Sequence, residues 1–290
     1  IELVYANTTA VLLGAWLANK NNIKHIWHVH EIIEKPKFLF LAIQWIMKRY
    51  TSTIICVSKA VQNHWSKTSP LLLSKMQVVY NGIGPVEKST EASFRTQYQF
   101  PEDAIVIGMA GRVHFWKGQQ YFLQIAKQLL NRSKENNLAA PLYFIITGDA
   151  YPGYEYLVDE IQNFIKNNQL EDRIFYTGFE HDMDKFYSSI DLLILPSQLP
   201  DPLPTVVLEA MQYGIPVAAT AQGGALEMIA ENETGIFIPI NSVEAAADKI
   251  QELLITEKFL IMRDASQQRE KHFFSNLVYE QKISSLINSL

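Results

Sequence analysis

The chain has 290 residues, enough for two domains of ordinary size, and its 48% hydrophobic and 19% charged content is that of a globular protein. A net charge of −5 argues against a nucleic-acid partner, which needs a clustered basic face. No run of 18 apolar residues predicts a membrane span, and the single cysteine, Cys56, forms no internal disulfide, which suits a reducing compartment.

The first residues, IELVYANTT, read as a strand and not as a secretory leader, so a cytoplasmic location is expected, and the chain opens as if in the middle of a fold. Strands are predicted over 3–6, 25–30, 53–57 and 77–80. Helices are predicted between them over 8–19, 36–50 and 58–67, with Thr8 and Ser58 as N-caps. Such alternation implies a parallel sheet covered by helices, with ligands beyond the carboxyl ends of the strands. His28, His30 and Glu31 fall at one such end. The helix KPKFLFLAIQWIMKRY is apolar around most of its circumference and flanked by Lys35, Lys37, Lys48 and Arg49. Two readings are open: a helix packed between the sheet and its neighbours, or a peripheral contact with the inner face of a membrane.

Residues 84–103 are polar and without period until Pro101, which makes them the expected linker. A second strand–helix series follows: IVIGMAG, a helix over 117–136, LYFIITGD, a helix near 154–168, RIFYTG, a helix over 182–189 and DLLILP. Late helices are expected from the N-cap Ser242 to about 269, and a final helix over 275–290. The fold class is therefore α/β with two Rossmann-like domains, over 1–84 and 85–269, and a closing helix over 270–290.

Gly111-Arg112 stands at a strand end and Lys117-Gly118 at the following helix start. Glycine allows close backbone approach to a ligand, and a helix start favours anions. Arg112 and Lys117 fit phosphate oxygens, although a pair of solvated surface charges reads the same way. The dinucleotide pattern G-x-G-x-x-G is absent. Downstream, PSQLPDPLPTVVLEAMQYGIPVAATAQGG puts Asp201 just before a helix over 205–213 and Glu209 inside it. Pro204 suits the first helical position and Gly214 the stop. The neighbours of Glu209 are apolar, so a buried carboxylate there needs donors, for which sugar hydroxyls are suitable.

In order, GRVHFWKG, LYFIITGD, RIFYTGF, DLLILPS, DPLPTVVLEAMQYGIPVAAT and GGALEMI resemble the donor-binding half of the retaining GT-B glycosyltransferases of family 4. IWHVHE, IICVSKAV and VVYNGIG resemble the later part of that family's acceptor-side half, whose beginning is missing here. The resemblance implies sugar transfer from a nucleoside diphosphate to an acceptor hydroxyl with retained configuration, in polysaccharide or glycolipid synthesis, without a metal. It implies that Arg112 and Lys117 grip the diphosphate and that Gly111 admits it. Glu209 would accept from the ribose, Asp201 would face the donor sugar, and His30 would lie over that sugar. The amides of Leu203, Thr205 and Val206 would meet the phosphates, and the RIFYTGF segment with Gly178 would border the base. Three departures stand out: Asp at 201 for the family's glutamate, Pro204 for a frequent glycine, and the absent N-terminal portion. An inactive nucleotide-sugar-binding module, or an epimerase or phosphorylase on the same fold, are the alternatives.

Overall fold

The computed structural model describes residues 2–86, 93–135 and 140–290. The chain divides into two compact units, one of Ile1–Gly84, Pro200–Pro204 and Phe273–Leu290, the other of Pro85–Leu199 and Thr205–His272.

The first unit is built on four parallel strands in the order β1-β2-β3-β4: β1 (Leu3–Ala6), β2 (Lys24–Val29), β3 (Thr53–Cys56) and β4 (Met76–Val78). All four residues of β3 are buried, as a strand covered on both faces requires. Burial pushes the Cys56 thiol up to about 12, which makes it an inert core residue. Between the strands run α1 (Leu12–Lys20), α2 (Lys37–Tyr50) and α3 (Lys59–Ser66). Ser58 caps α3 as expected, its hydroxyl accepting from the Val61 amide at 3.1 Å. Thr8 does not cap α1, which starts four residues later. Its hydroxyl instead donates to Glu31 Oε1, and the Thr9 amide donates to Glu31 Oε2 at 3.2 Å, so a long-range carboxylate outcompetes the local cap. Lys75 donates to the carbonyls of Lys48 and Thr51, both at 2.8 Å, and so satisfies the C-terminal end of α2.

The second unit begins with α4 (Phe94–Gln97) and carries a six-stranded parallel sheet. Its strands are β5 (Ile105–Ala110), β6 (Leu142–Thr147), β7 (Ile174–Gly178), β8 (Leu192–Leu195), β9 (Val217–Thr220) and β10 (Gly235–Ile238). The spatial order is β10-β9-β8-β5-β6-β7, so the chain builds outward from β5 in one direction and then returns to build outward from β8 in the other. The helices are α5 (Gln119–Glu135), α6 (Tyr156–Asn167), α7 (Met183–Tyr187), α8 (Thr205–Gln212), α9 (Ala225–Met228), α10 (Val243–Ile255) and α11 (Lys258–Phe273). Ser242 caps α10 through the Ala245 amide at 3.2 Å. Phe122, Phe144, Ile146, Ile161 and Ile250 form the centre of the core.

The last helix, α12 (Asn276–Asn288), belongs to the first unit, where Leu286 joins Ile26, Ile55 and Val79 in a small apolar cluster. A Cβ at Gly82 would overlap the backbone of Asn276, so this glycine permits the contact between the two segments.

The expected linker over 84–103 is corrected in part; its residues 87–92 lie outside the described ones. From Ser93 onward the segment folds onto the second sheet. Phe94 is buried, and the Arg95 guanidinium donates to the Ser189 carbonyl at 2.8 Å, the Ala104 carbonyl at 3.0 Å and Asp191 Oδ2 at 2.5 Å. Asp191 in turn accepts from the Val106 amide at 2.8 Å. One arginine thus ties α4, the entry to β5 and the entry to β8 together, an arrangement that four residues of helix without periodicity do not announce. Arg95→Ala should lower stability by roughly 2–3 kcal/mol, because Asp191 and two carbonyls lose their donor together. Arg95→Lys should recover less than half of that, since an ammonium cannot reproduce the fork. Urea denaturation of the three proteins measures both.

Candidate functional site

In an open parallel sheet a crevice forms where neighbouring strands have connections leading to opposite sides. Here that point lies between β5 and β8, and a cleft of about 750 Å³ opens at the carboxyl ends of β5, β6 and β7. Gly111 and Arg112 after β5, Gly148 and Asp149 after β6, Phe179 after β7, and Glu209 of α8 line it. All belong to the second unit.

The glycines make this geometry possible. Gly111 has φ +141° and nothing within 4 Å of where a Cβ would stand, so its Cα leaves open space beside the cleft. Gly148 has φ +136°, and a Cβ there would overlap the Gly111 carbonyl, so the two strand-end turns touch backbone to backbone. Gly118, at φ +85°, approaches the Pro196 carbonyl in the same way and brings the loop after β5 against the loop after β8. Gln119 fastens that first loop: its Nε2 donates to the Arg112 carbonyl at 2.9 Å, and its Oε1 accepts from the His114 amide at 3.4 Å. The Gln198 amide donates to the Trp116 carbonyl at 2.7 Å from the other side.

The charged groups stand on this frame. The Arg112 guanidinium lies 3.6 Å from the centroid of the Tyr151 ring, an orienting cation–π contact at the cleft wall. Lys117 lies on a short 3-10 turn (Phe115–Lys117) ahead of α5, with its ammonium 4.1 Å from the centroid of the Trp116 ring. Between the two cations sits His114, held below its ordinary range by burial and then by the positive charges of Arg112 and Lys117. The Glu209 carboxylate is half-buried, and its Oε2 accepts from the Tyr187 hydroxyl at 2.5 Å.

The sequence reading expected ligand hydroxyls to supply the donors for a buried Glu209. The structure adds a protein donor to that expectation: Tyr187, 22 residues upstream, holds one carboxylate oxygen, and Glu209 reaches the cleft. Of the expected site residues, the structure brings Gly111, Arg112 and Glu209 to this one cleft. Lys117, Gly178 and Thr205 belong to the same unit without lining it; Gly178 accepts from the Gly148 amide at 2.8 Å, and Thr205 is exposed at the start of α8. The helix expected from 117 begins at Gln119, with Lys117 in the turn before it.

His30, Asp201 and Leu203 belong to the first unit. His30 Nε2 is 2.9 Å from Asn7 Oδ1 and its Nδ1 is 3.5 Å from Asn81, which gathers the ends of three strand segments. Burial, partly opposed by Glu31, lowers the His30 pKa and favours the neutral ring at neutral pH. His28, on the same strand face with ring centroids 4.3 Å apart, is fully buried, and its pKa falls to about 3 by burial and then by His30. Its Nδ1 pairs with the Tyr5 hydroxyl at 2.8 Å, which makes it a hydrogen-bonded core histidine. Asp201 and Leu203 are buried.

A family model described as glycosyl transferases group 1 matches residues 90–272, and one described as glycosyltransferase family 4 matches residues 1–86. The chain belongs to the group 1 glycosyl transferases. An uncharacterized glycosyltransferase of Methanocaldococcus jannaschii is 24% identical over 250 residues, covering 82% of this chain and 61% of the relative. The lipopolysaccharide 1,2-N-acetylglucosaminetransferase of Salmonella typhimurium is 27% identical over 252 residues, covering 84% and 61%. Anabaena HepE, solved in complex with UDP, aligns with a TM-score of 0.89 at 25% identity, covering all of this chain and 79% of HepE. The chain spans 61% of the length of each of these two curated relatives, so it matches only part of each. The parallel sheets with covering helices are those of the GT-B fold.

In this cleft and its frame, sequence reasoning missed Gly148, Gln119, Tyr151 and Tyr187. The first was legible in principle, because LYFIITGD repeats the strand-then-glycine pattern of IVIGMAG. The others carry no pattern of their own. Gly148→Ala should destabilise the protein by about 1–3 kcal/mol, since the new methyl meets backbone and the φ is unfavourable for a side chain. Gly84→Ala, which meets nothing within 4 Å and has no such φ, should stay within about 0.5 kcal/mol of the parent. Thermal melting of both variants makes the comparison.

Proposed function

We propose that the cleft of the second unit binds a nucleoside diphosphate, and that the whole protein transfers the attached sugar with retained configuration to a hydroxyl of a glycan or lipid-linked acceptor. The observation that carries this reading is the pairing, in one cleft at the switch point of the sheet, of a guanidinium at Arg112 with an anchored carboxylate at Glu209. A cation meets phosphate oxygens and a carboxylate meets neighbouring hydroxyls, which are the two chemistries of a nucleotide sugar. UDP is the proposed nucleotide, supported by the HepE structures with UDP and with UDP-glucose.

In this reading Arg112 and Lys117 neutralise the diphosphate as charge develops on the leaving group, and Gly111 admits it. The amides of Leu203 and Thr205 add donors, Gly178 borders the base, and Glu209 accepts from the ribose. Asp201 faces hydroxyls of the donor sugar, and neutral His30 contributes a hydrogen bond near the reacting carbon. The acceptor oxygen attacks from the face the leaving group departs, so no protein nucleophile is assigned. The two cations supply the charge, and no metal ion is given a role; EDTA should leave UDP affinity unchanged within twofold.

Isothermal titration with UDP, GDP and ADP tests the core of the proposal. UDP should bind, and Arg112→Ala should weaken it at least tenfold through loss of a charge-assisted contact. Glu209→Ala should weaken UDP, whereas Asp201→Ala should act on UDP-sugar more than on UDP. Absence of binding by all three nucleotides would remove the proposal.

We also propose that α2 rests on an anionic membrane surface. The helix buries Ile43, Gln44 and Met47, while Phe38, Leu41 and Trp45 are 75%, 56% and 57% exposed on the other side. It contains no acidic residue, and Lys37, Lys48 and Arg49 stand exposed at its ends, in a chain whose net charge is −5. Aromatic and aliphatic side chains over a basic frame fit headgroups and the acyl boundary. Among the described residues no helix is long and apolar enough to cross a membrane. Sedimentation with vesicles of phosphatidylglycerol and phosphatidylcholine should show binding that weakens with salt, and Phe38→Ser with Trp45→Ser should reduce it about tenfold or more. Equal binding by the double variant, or apolar-dependent self-association in place of vesicle binding, would count against this surface.

A further inference from the structure

Two hydrogen bonds join α7 to the end of α8 in opposite senses. Tyr187 of α7 donates to Glu209 Oε2 of α8 at 2.5 Å. Tyr213, one residue past α8, donates to Asp184 Oδ1 of α7 at 2.6 Å. Each segment therefore supplies one phenol and one carboxylate, and each pair is spaced by about one helical turn, at 184 and 187 and at 209 and 213. The two rings stack with centroids 5.3 Å apart and planes at 29°. Met183 of α7 and Val206 and Glu209 of α8 all line the cleft.

We propose that this reciprocal clasp positions Glu209, with Tyr187 fixing one carboxylate oxygen so that the other is presented to a hydroxyl of the bound nucleotide. The proposal rests on the nucleotide-binding reading of the cleft and adds Tyr187 and Tyr213 to it as positioning residues.

A half-buried glutamate on a helix has three rotatable bonds and several staggered conformations. Among the described residues Tyr187 is the side chain that donates to Glu209, and no lysine or arginine pairs with it. The carboxylate is therefore engaged by a phenol and not by a protein cation, and one of its oxygens is already held. Tyr187 is 3% exposed, so its hydroxyl has no water to turn to, and abandoning Glu209 would leave a buried donor unpaired. Burial, and then the Glu209 charge, push the Tyr187 phenol well above its ordinary range, so it remains a donor at every working pH. Tyr213 is raised by burial and by its bond to Asp184, and donates under the same conditions. The stacked rings couple the two bonds: displacing either phenol disturbs the face the other packs on.

The test compares UDP with 2′,3′-dideoxy-UDP by isothermal titration, because the ratio of their affinities reports what the ribose hydroxyls contribute. The parent should prefer UDP by about tenfold or more. Glu209→Gln should collapse the ratio. Tyr187→Phe keeps the ring and its stack and removes the O–H, so it should lower UDP affinity about fivefold to tenfold and leave dideoxy-UDP within twofold, shrinking the ratio. Tyr213→Phe, an independent variant should the first fail to fold, should shrink the ratio about threefold. If Glu209→Gln leaves the ratio unchanged, the ribose role of Glu209 fails and the clasp proposal falls with it. If Glu209→Gln collapses the ratio but neither tyrosine variant changes it, the clasp alone is overturned. Equal weakening of both nucleotides by Tyr187→Phe overturns it too, since that is general loosening of the cleft.

Discussion

Parallel strands deliver their carboxyl ends to one edge, and in the second unit that edge is where β5 and β8 part company. The connections on either side of that pair lead in opposite directions, so no helix crosses the gap between them. Gly111, Gly148, Arg112 and Asp149 stand at or beside it because each follows directly on a strand end. The cleft exists because the strand order reverses, and the side chains then decide what it can hold. Backbone packing sharpens the edge, with Gly148 against the Gly111 carbonyl and Gly118 against the Pro196 carbonyl. A side chain at either position would force adjacent turns apart.

The charges in the cleft are placed under different constraints. Arg112 is on an exposed loop and is oriented by the face of Tyr151, a contact that a phosphate could augment without the guanidinium leaving its place. Glu209 is on a helix and is oriented by a buried phenol. A cation stacked on a ring at a loop and an anion held on a helix suit a ligand whose phosphates carry most of the charge and whose hydroxyls need defined acceptors. The first unit uses its own carboxylate differently: Glu31 is occupied with Thr8 and Thr9 and holds the end of β2 to the loop after β1, which leaves His30 as the polar group beside Asn7 and Asn81.

Much of the architecture was legible because parallel strands buried on both faces read as short continuous apolar runs. TIIC, LYFIIT and LLIL are such runs, and each became a strand. Local hydrogen-bonding chemistry was readable where it stayed local, as at Ser58 and Ser242. It failed at Thr8, whose hydroxyl found a carboxylate 23 residues away, and at the polar stretch before β5, where Arg95 reaches Ser189 and Asp191 nearly a hundred residues on.

The sequence by itself determined the strand–helix alternation, the resemblance to a sugar-transferring family, and three residues that share the cleft: Gly111, Arg112 and Glu209. Those are legible because each depends on its neighbours in the chain, whether a glycine at a strand end, a cation beside it, or a carboxylate in an apolar helix. Tertiary structure decided which group holds Glu209 and which backbones touch. Tyr187 reads as an ordinary tyrosine in a short helix until α7 and α8 are set side by side, and Gly148 as an ordinary turn glycine until the Gly111 carbonyl is beside it. Contacts between segments distant in sequence arise from how the sheet orders its strands, and no local pattern of residues encodes them.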